Sequence, residues 1–584
     1  MTAGPDRSRS PQDGVARHQS VHPDAPQAAA LAEDAAAFEG PLFDAFAAVV
    51  ARQPSHLAVD DGNDRLSYAD LRDWALALGA RIFATVPADG LVGVLVPANM
   101  LYPVAWLACF AARRAFLPLD PNLPPARSQA IIAEAGIAAV IVPTLTADLA
   151  AWLAADLPRI PMADEPGADD PGPEPPPLPQ GLAPARMGML LFTSGSTGRA
   201  KGIVLHERST RRMAMNYATI DLGPADRLLS LHPPLTSAGV RDTFGALLCG
   251  ASLHMVDLKR DGLARALAVL RAAGITVCAT VPGVARALTA IDGATDAFRG
   301  LRIMRLGGDA IMSNDIVTMG RLLAPTARIL VSLGMTEAGG ALVQRLIDPV
   351  ASVEPGRIAV GRPVAGQAVS IEDAQGRPVQ PGETGELVIR GRYLALGHWV
   401  AGRLDPTAFP VDPGAPGIRC YRSGDVVLVR ADGMLVPHGR SDRQVKINGV
   451  RVEPGDTEAT LRGLPGVADA AVLVHDNAGA PVLVAFVVPA QGDQAANATG
   501  FARSLRPRLA ALLPPQQVPT HIHAVPAIPL LPSLKPDLAA LRSMMLGKKA
   551  SGVIARVWTT LRHAASLSAS APTLPPVRRD DVPS

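Results

Sequence analysis

Residues 187–202 read MGMLLFTSGSTGRAKG, an apolar run followed by a loop dense in glycine and hydroxyl side chains with a single lysine. The run from Met187 to Phe192 predicts a buried strand, and the residues after it predict a phosphate-gripping turn. Gly195, Gly198 and Gly202 permit backbone angles that bring N–H groups close to an anion. Thr193, Ser194, Ser196 and Thr197 add hydroxyl donors, and Lys201 adds a positive charge. A Walker loop would end in Gly-Lys-Ser/Thr. Here Ala200 precedes Lys201 and Gly202 follows it, which disfavours an ordinary P-loop NTPase. Taken alone, the stretch is also compatible with a ligand-free Ser/Gly-rich surface loop.

Outward from this loop, strand-like runs alternate with helical ones: Leu91 to Val96, Ala138 to Val142, Arg227 to Leu231, Ser252 to Val256, Ile275 to Ala279 and Arg328 to Leu333. The alternation predicts an α/β fold, a multi-layer core with mostly parallel sheets. At 584 residues the chain is longer than one hydrophobic core supports, so two or more domains are expected. Gly90 to Ala112 is uncharged and long enough to span a bilayer. Pro97, Asn99 and Pro103 nevertheless divide it into a strand, a turn and a helix, the pattern of a buried strand-to-helix unit, and no membrane span is expected. Residues 1–37 read as a disordered leader, and Ala163 to Pro184, rich in Pro, Gly and Asp, as an exposed connector.

Lys+Arg 55 against Asp+Glu 53 gives a net charge of +2. With no sustained basic stripe, a nucleic-acid partner is not expected. Cys109, Cys249, Cys278 and Cys420 are scattered without metal-ligand or disulfide spacing, which fits a reducing, cytoplasmic setting.

Further motifs join the phosphate loop in order along the chain. They are Leu333-Gly334-Met335-Thr336-Glu337, Tyr421-Arg422-Ser423-Gly424-Asp425, and Gly439-Arg440-Ser441-Asp442-Arg443-Gln444-Val445-Lys446. With Leu66 to Leu71 (LSYADL), Ala115 to Pro121, Gly307 to Ala310 (GGDA), Gly382 to Gly391 and Gly449 to Glu458, they make the chain resemble the adenylate-forming superfamily over roughly Phe38 to Leu541. That superfamily includes nonribosomal peptide synthetase adenylation domains, aryl-acid activating enzymes, acyl-CoA synthetases and luciferases.

The resemblance implies a large N-terminal AMP-binding domain, 38–437, a small mobile α+β C-terminal domain, 438–545, and a tail, 546–584. It also implies ATP and Mg²⁺ as cofactors and a two-step reaction. A carboxylate attacks the α-phosphorus of ATP to give an acyl-adenylate and pyrophosphate, and a thiol then takes the acyl group. By the same resemblance the Thr193 to Lys201 loop holds the β- and γ-phosphates, Glu337 ligates Mg²⁺ beside Thr336, and Gly308 and Asp309 border the nucleotide. Asp425 accepts from the ribose hydroxyls with Arg440 in support. Lys535, in Leu531-Pro532-Ser533-Leu534-Lys535, bridges the substrate carboxylate and the α-phosphate as the main catalytic residue, alongside Lys201 and Glu337. Asp442 is the hinge and Lys446 belongs to the thiolation face. Only six of the 55 basic residues are lysines, and three of those six, Lys201, Lys446 and Lys535, stand at family lysine positions.

In amino-acid-activating relatives an Asp grips the α-ammonium, and that position holds Ser237 here. A buried ammonium without a counter-ion is costly, so an ordinary α-amino acid is disfavoured. Gly307 and Arg241 are placed in the substrate pocket. Arg241 has two readings: a partner for a second acidic or electron-rich group on the substrate, or a structural salt bridge with Asp242 or another carboxylate. Leu333 stands where relatives often carry an adenine-stacking aromatic residue, and Ser533-Leu534 where Asn-Gly usually precedes the lysine. Met335 is more like the acyl-CoA and aryl-acid branches. Val553 to Trp558 resembles the start of a carrier-protein domain, but no Gly-Gly-x-Ser follows, so the expected acceptor is a carrier protein in trans or coenzyme A. The expected function is adenylation of a small carboxylic acid and loading of a separate carrier. The alternatives are an acyl-CoA or aryl-CoA ligase and, from another class, a non-catalytic adenylation-like binding module.

Overall fold

In the computed structural model the described residues are 40–144, 153–163, 187–193, 201–350, 353–364, 366–413, 415, 417–440, 444–477, 480–490, 498–529 and 536–546. Two large mixed sheets carry the N-terminal part. The first has nine strands, six of them consecutive and parallel in the order Leu57–Asp60, Ser252–Met255, Arg227–Ser230, Val277–Thr280, Ile303–Gly307 and Arg328–Met335. The second has eight, with Met187–Thr193, Ala115–Leu119, Leu91–Leu95, Ala139–Pro143 and Arg159–Met162 parallel. Antiparallel pairs close the edges. The six strands expected from the sequence all form, with ends shifted by at most two residues.

Helices between the sheets explain the uncharged stretch 90–112. All eleven residues of helix Leu101–Ala111 are buried, because it is the middle layer and has no solvent face to make polar. Its Trp106 lies 6.0 Å from Phe116 of the second sheet and 5.9 Å from Phe244, on helix Ser237–Cys249. No helix among the described residues is long and apolar enough to cross a membrane. The LSYADL motif starts helix Tyr68–Thr85: Ser67 accepts from the Asp70 N–H, and the Asp70 side chain accepts from the Ser67 N–H, a reciprocal cap.

A four-stranded antiparallel sheet, Gln367–Glu372, Thr384–Gly391, Arg419–Val429 and Leu435–Arg440, follows. After it come a two-stranded hairpin, Val445–Ile447 with Val450–Val452, and a three-stranded sheet with its own helices and apolar clusters. The hairpin turn is Asn448-Gly449, both at positive φ (51° and 76°). Two left-handed residues make the tight turn whose twist matches the flanking strands, and Asn-Gly is the pair that adopts it with least strain.

Candidate active site

A cavity of about 810 Å³ opens at the C-terminal ends of the parallel strands of the nine-stranded sheet. Its walls bring together Ser237, Arg241, Gly308, Thr336, Glu337, Asp425, Arg440 and Lys446, which are separated by as many as 209 positions in the chain. At the phosphate-loop segment, strand Met187–Thr193 runs antiparallel to strand Lys201–His206, with Thr193 opposite Lys201. Ser194, Gly195, Ser196, Thr197 and Gly198 lie outside the described residues, as do Asp442 and Lys535, the leader 1–37, most of the connector 163–184, and the tail beyond Leu546.

Glu337 follows strand Arg328–Met335 in a short 3-10 turn and is buried at the cavity wall. Its Oε1 accepts from Arg451 Nη1 and, at 3.3 Å, from the Tyr421 hydroxyl. Burial works to raise its pKa, but the charge and hydrogen bonds of Arg451 outweigh it and hold the carboxyl below its ordinary range. Mg²⁺ that arrives with ATP takes one or two protein carboxylates and completes its shell with phosphate oxygens and water. One buried carboxylate fits that demand. No cluster of three His, Cys, Asp or Glu stands among the described residues, so the donor set suits a phosphate-borne cation rather than an all-protein cage.

Asp425 and Arg440 face each other across paired strands, and Arg440 Nη1 donates to Asp425 Oδ1 at 2.5 Å. The Asp425 N–H is held by Ser423 Oγ at 3.0 Å, which fixes the carboxylate's backbone. The Asn448-Gly449 tip reaches into the same region. The Gly449 N–H donates to Asp309 Oδ2 at 3.2 Å, and a Cβ on Gly449 would stand 2.6 Å from Val281 Cγ1. Asp309 therefore holds the hairpin tip and is not itself in the cavity wall, whereas Gly308, at φ +87°, is. Burial raises the pKa of Asp309 against the opposing pull of Lys446.

The other part of the cavity is built on helix Ser237–Cys249, whose first residues Ser237, Ala238 and Gly239 line it. Asp242 is fully buried there and accepts from Tyr217 Oη (2.6 Å), Ser230 Oγ (2.7 Å), Arg241 Nε (2.9 Å) and Arg241 Nη2 (2.7 Å), with His232 Nδ1 at 2.8 Å. Burial opposes its ionisation, but Arg241, His232 and these hydrogen bonds hold the carboxyl far below its ordinary range. Of the two readings of Arg241, the salt bridge with Asp242 is formed, and the residue lines the cavity as well. Gly307 does not line the cavity. It ends a buried strand, and the place of its missing Cβ is covered by Ser332 Oγ, 2.7 Å away. Leu333 packs against the main core.

Sequence reading did not single out Arg451, His232, Arg305 or the hairpin tip, and it named Asp242 only as a salt-bridge partner of Arg241. The tip carried a usable signal, Asn-Gly between VKI and VRV. The others are ordinary charged or polar residues, and Arg451 and Arg305 meet partners far away in the chain.

The AMP-binding enzyme family matches residues 46–399, and the AMP-binding enzyme C-terminal domain matches residues 456–535. The chain therefore belongs to the AMP-binding enzyme family, within the adenylate-forming superfamily. It is 31% identical over 525 residues to novobiocin biosynthesis protein H of Streptomyces niveus, covering 86% of this chain and 82% of that one. It is also 31% identical over 505 residues to phosphinothricin tripeptide synthetase PhsC of Streptomyces viridochromogenes, covering 84% of this chain but spanning only 44% of that one. The solved structure of PA1221, an NRPS protein containing adenylation and PCP domains, superposes with a TM-score of 0.72 at 24% identity, over 89% of this chain and 99% of that one.

Proposed function

We propose that this chain activates a carboxylic acid other than an ordinary α-amino acid as its acyl-adenylate, releasing pyrophosphate. The acyl group then passes to the phosphopantetheine thiol of a separate carrier protein. The observation that carries the choice of acid is Ser237. It lines the cavity at the position where amino-acid-activating relatives have Asp, and the carboxylate on the same helix, Asp242, is already saturated by donors and paired with Arg241. An α-ammonium would be desolvated there without a counter-charge.

The first step brings one anion to another, so aimed donors and cations must offset the developing charge. In this reading the loop from Thr193 to Lys201 binds the β- and γ-phosphates, Asp425 takes the ribose hydroxyls, and Arg440 orients Asp425. Glu337 with Thr336 holds Mg²⁺, which when bound offsets phosphate charge. Lys535 aligns the carboxylate with the α-phosphate. Because Arg451 occupies Glu337 when the hairpin is docked, that arrangement suits thiol transfer, with Lys446 on the thiolation face. Rotation at Asp442, between a large domain 38–437 and a small one 438–545, would free Glu337 for the cation and bring Lys535 in.

Coenzyme A as acceptor is the second reading, favoured by Met335, which resembles the acyl-CoA branch. The test is hydroxamate-trapped adenylation across amino, hydroxy, aryl and dicarboxylic acids, followed by supplying a phosphopantetheinyl carrier or coenzyme A separately. Activation of α-amino acids above all others would refute the choice of acid.

A further inference from the structure

The Ser237 end of the cavity carries more buried positive charge than buried negative charge. Arg241 is 7% exposed and lines the cavity; its Nε and Nη2 donate to Asp242, and its guanidinium lies 5.9 Å from the Tyr217 ring centroid. Arg305, fully buried on strand Ile303–Gly307, lies one layer behind. Its guanidinium sits 5.0 Å over the Tyr217 ring, its Nη2 reaches Ser332 Oγ at 3.5 Å, and Ser332 lines the cavity. With the Gln344 amide oxygen turned toward it, Arg305 donates Nη1 and Nη2 to that oxygen at 3.2 and 3.0 Å, a neutral acceptor that removes no charge. Its Nε has no partner.

The groups facing this cluster from each packed element are Tyr217, Ser230, His232, Asp242, Ser332 and Gln344, so the two guanidinium groups meet one carboxylate. His232 adds no compensation, since burial keeps it neutral despite Asp242. Burial and the neighbouring Arg241 push Arg305 down to about 10, which leaves it protonated at neutral pH. The N-terminal end of helix Ser237–Cys249, with no acidic residue in its first turn, points its partial positive charge at the same space. An unbalanced buried charge is costly unless an anion meets it. The reacting carboxylate is not that anion. Strand Arg328–Met335 runs three residues, roughly 10 Å, from Ser332 before the turn that carries Glu337, and the carboxylate belongs with the phosphates at that far end.

We propose that the acid this enzyme activates carries a second, distal carboxylate, gripped by Arg241 with Arg305 supporting its charge from behind. This rests on the chain being a carboxylic-acid-activating ligase, and the test separates the two. ATP–pyrophosphate exchange by the full chain is measured with straight-chain dicarboxylic acids of four to eight carbons, their monomethyl esters, and phthalic acids against benzoic acid. The expected result is a kcat/KM for one diacid at least about 10²-fold above its monoester. In Arg241→Gln that ratio collapses toward one, and Arg241→Lys, which keeps the charge, retains part of it. A thermal shift on ATP addition checks that each variant is folded. If Arg241→Gln does not fold, the wild-type ratio and Arg241→Lys decide. Monoesters or monocarboxylic acids preferred by the wild type would overturn this inference and leave the ligase reading intact, whereas exchange with no acid at all would overturn both.

Discussion

Replacing Gly449 by Ala isolates the docking of the hairpin. The left-handed φ of +76° strains any side chain, but that strain belongs to the Asn448-Gly449 turn itself and is present whether the hairpin is docked or withdrawn. It therefore cancels from the docking equilibrium. The contact with the large domain does not cancel. The new Cβ would stand 2.6 Å from Cγ1 and 3.7 Å from Cβ of Val281, a short and stiff side chain. Overpacking of this kind costs about 1–3 kcal/mol, which corresponds to a roughly 5- to 150-fold drop in the docking equilibrium constant. Acyl transfer from preformed adenylate to the acceptor thiol should fall by that factor, while ATP–pyrophosphate exchange changes little. Val281→Ala removes the clashing methyl group, so the double variant should recover most of the transfer rate, and the cycle is closed with Val281→Ala alone. Equal losses in both half-reactions, or no recovery in the double variant, would refute the reasoning.

Lys535→Ala should lower exchange by about 10²–10³-fold with ATP binding largely retained, as loss of one transition-state contact does; unchanged exchange would end the assignment. Asp242→Asn leaves Arg241 buried without its counter-charge and should cost about 3–5 kcal/mol in denaturant unfolding, the range for breaking one side of a buried pair. His206 and His254 are pushed down to about 4 by burial, and burial lowers His232 as well. At His206 and His254 the unfolded chain takes up protons near pH 6.5 while the folded chain stays neutral down to about 4. Stability should then fall as pH drops from about 6.5 to 4, by up to about 1.4 kcal/mol per unit for each histidine, and be flat above 6.5 from these groups. Urea midpoints at pH 7.5, 6 and 5 check this, and a flat series would contradict it.

The layered core was legible in the sequence because buried parallel strands are continuous apolar runs, which Leu91–Leu95 and Arg328–Met335 show plainly. The helix Leu101–Ala111 could be separated from a membrane span because Pro97, Asn99 and Pro103 break up the uncharged run. Glu337 and Asp425 were found through their motifs, and both reach the cavity wall. What the motifs omit is pairing between distant elements. Nothing local in GVRVEPG ties Arg451 to Glu337, 114 residues earlier, and nothing in IMRLG shows that Arg305 will be buried beside Tyr217. The four-stranded sheet between Gln367 and Arg440 was likewise missed, since its strands mix buried residues with partly or fully exposed polar ones such as Ser370, Arg390 and Arg422.

The most direct test of the central claim is isotope transfer. An acid that supports exchange is labelled with ¹⁸O in its carboxylate and turned over with ATP and an acceptor thiol, and the nucleotide product is analysed by mass spectrometry. Attack of the carboxylate on the α-phosphorus predicts AMP carrying one ¹⁸O atom, with unlabelled pyrophosphate. Unlabelled AMP, or ADP in place of AMP, would contradict it.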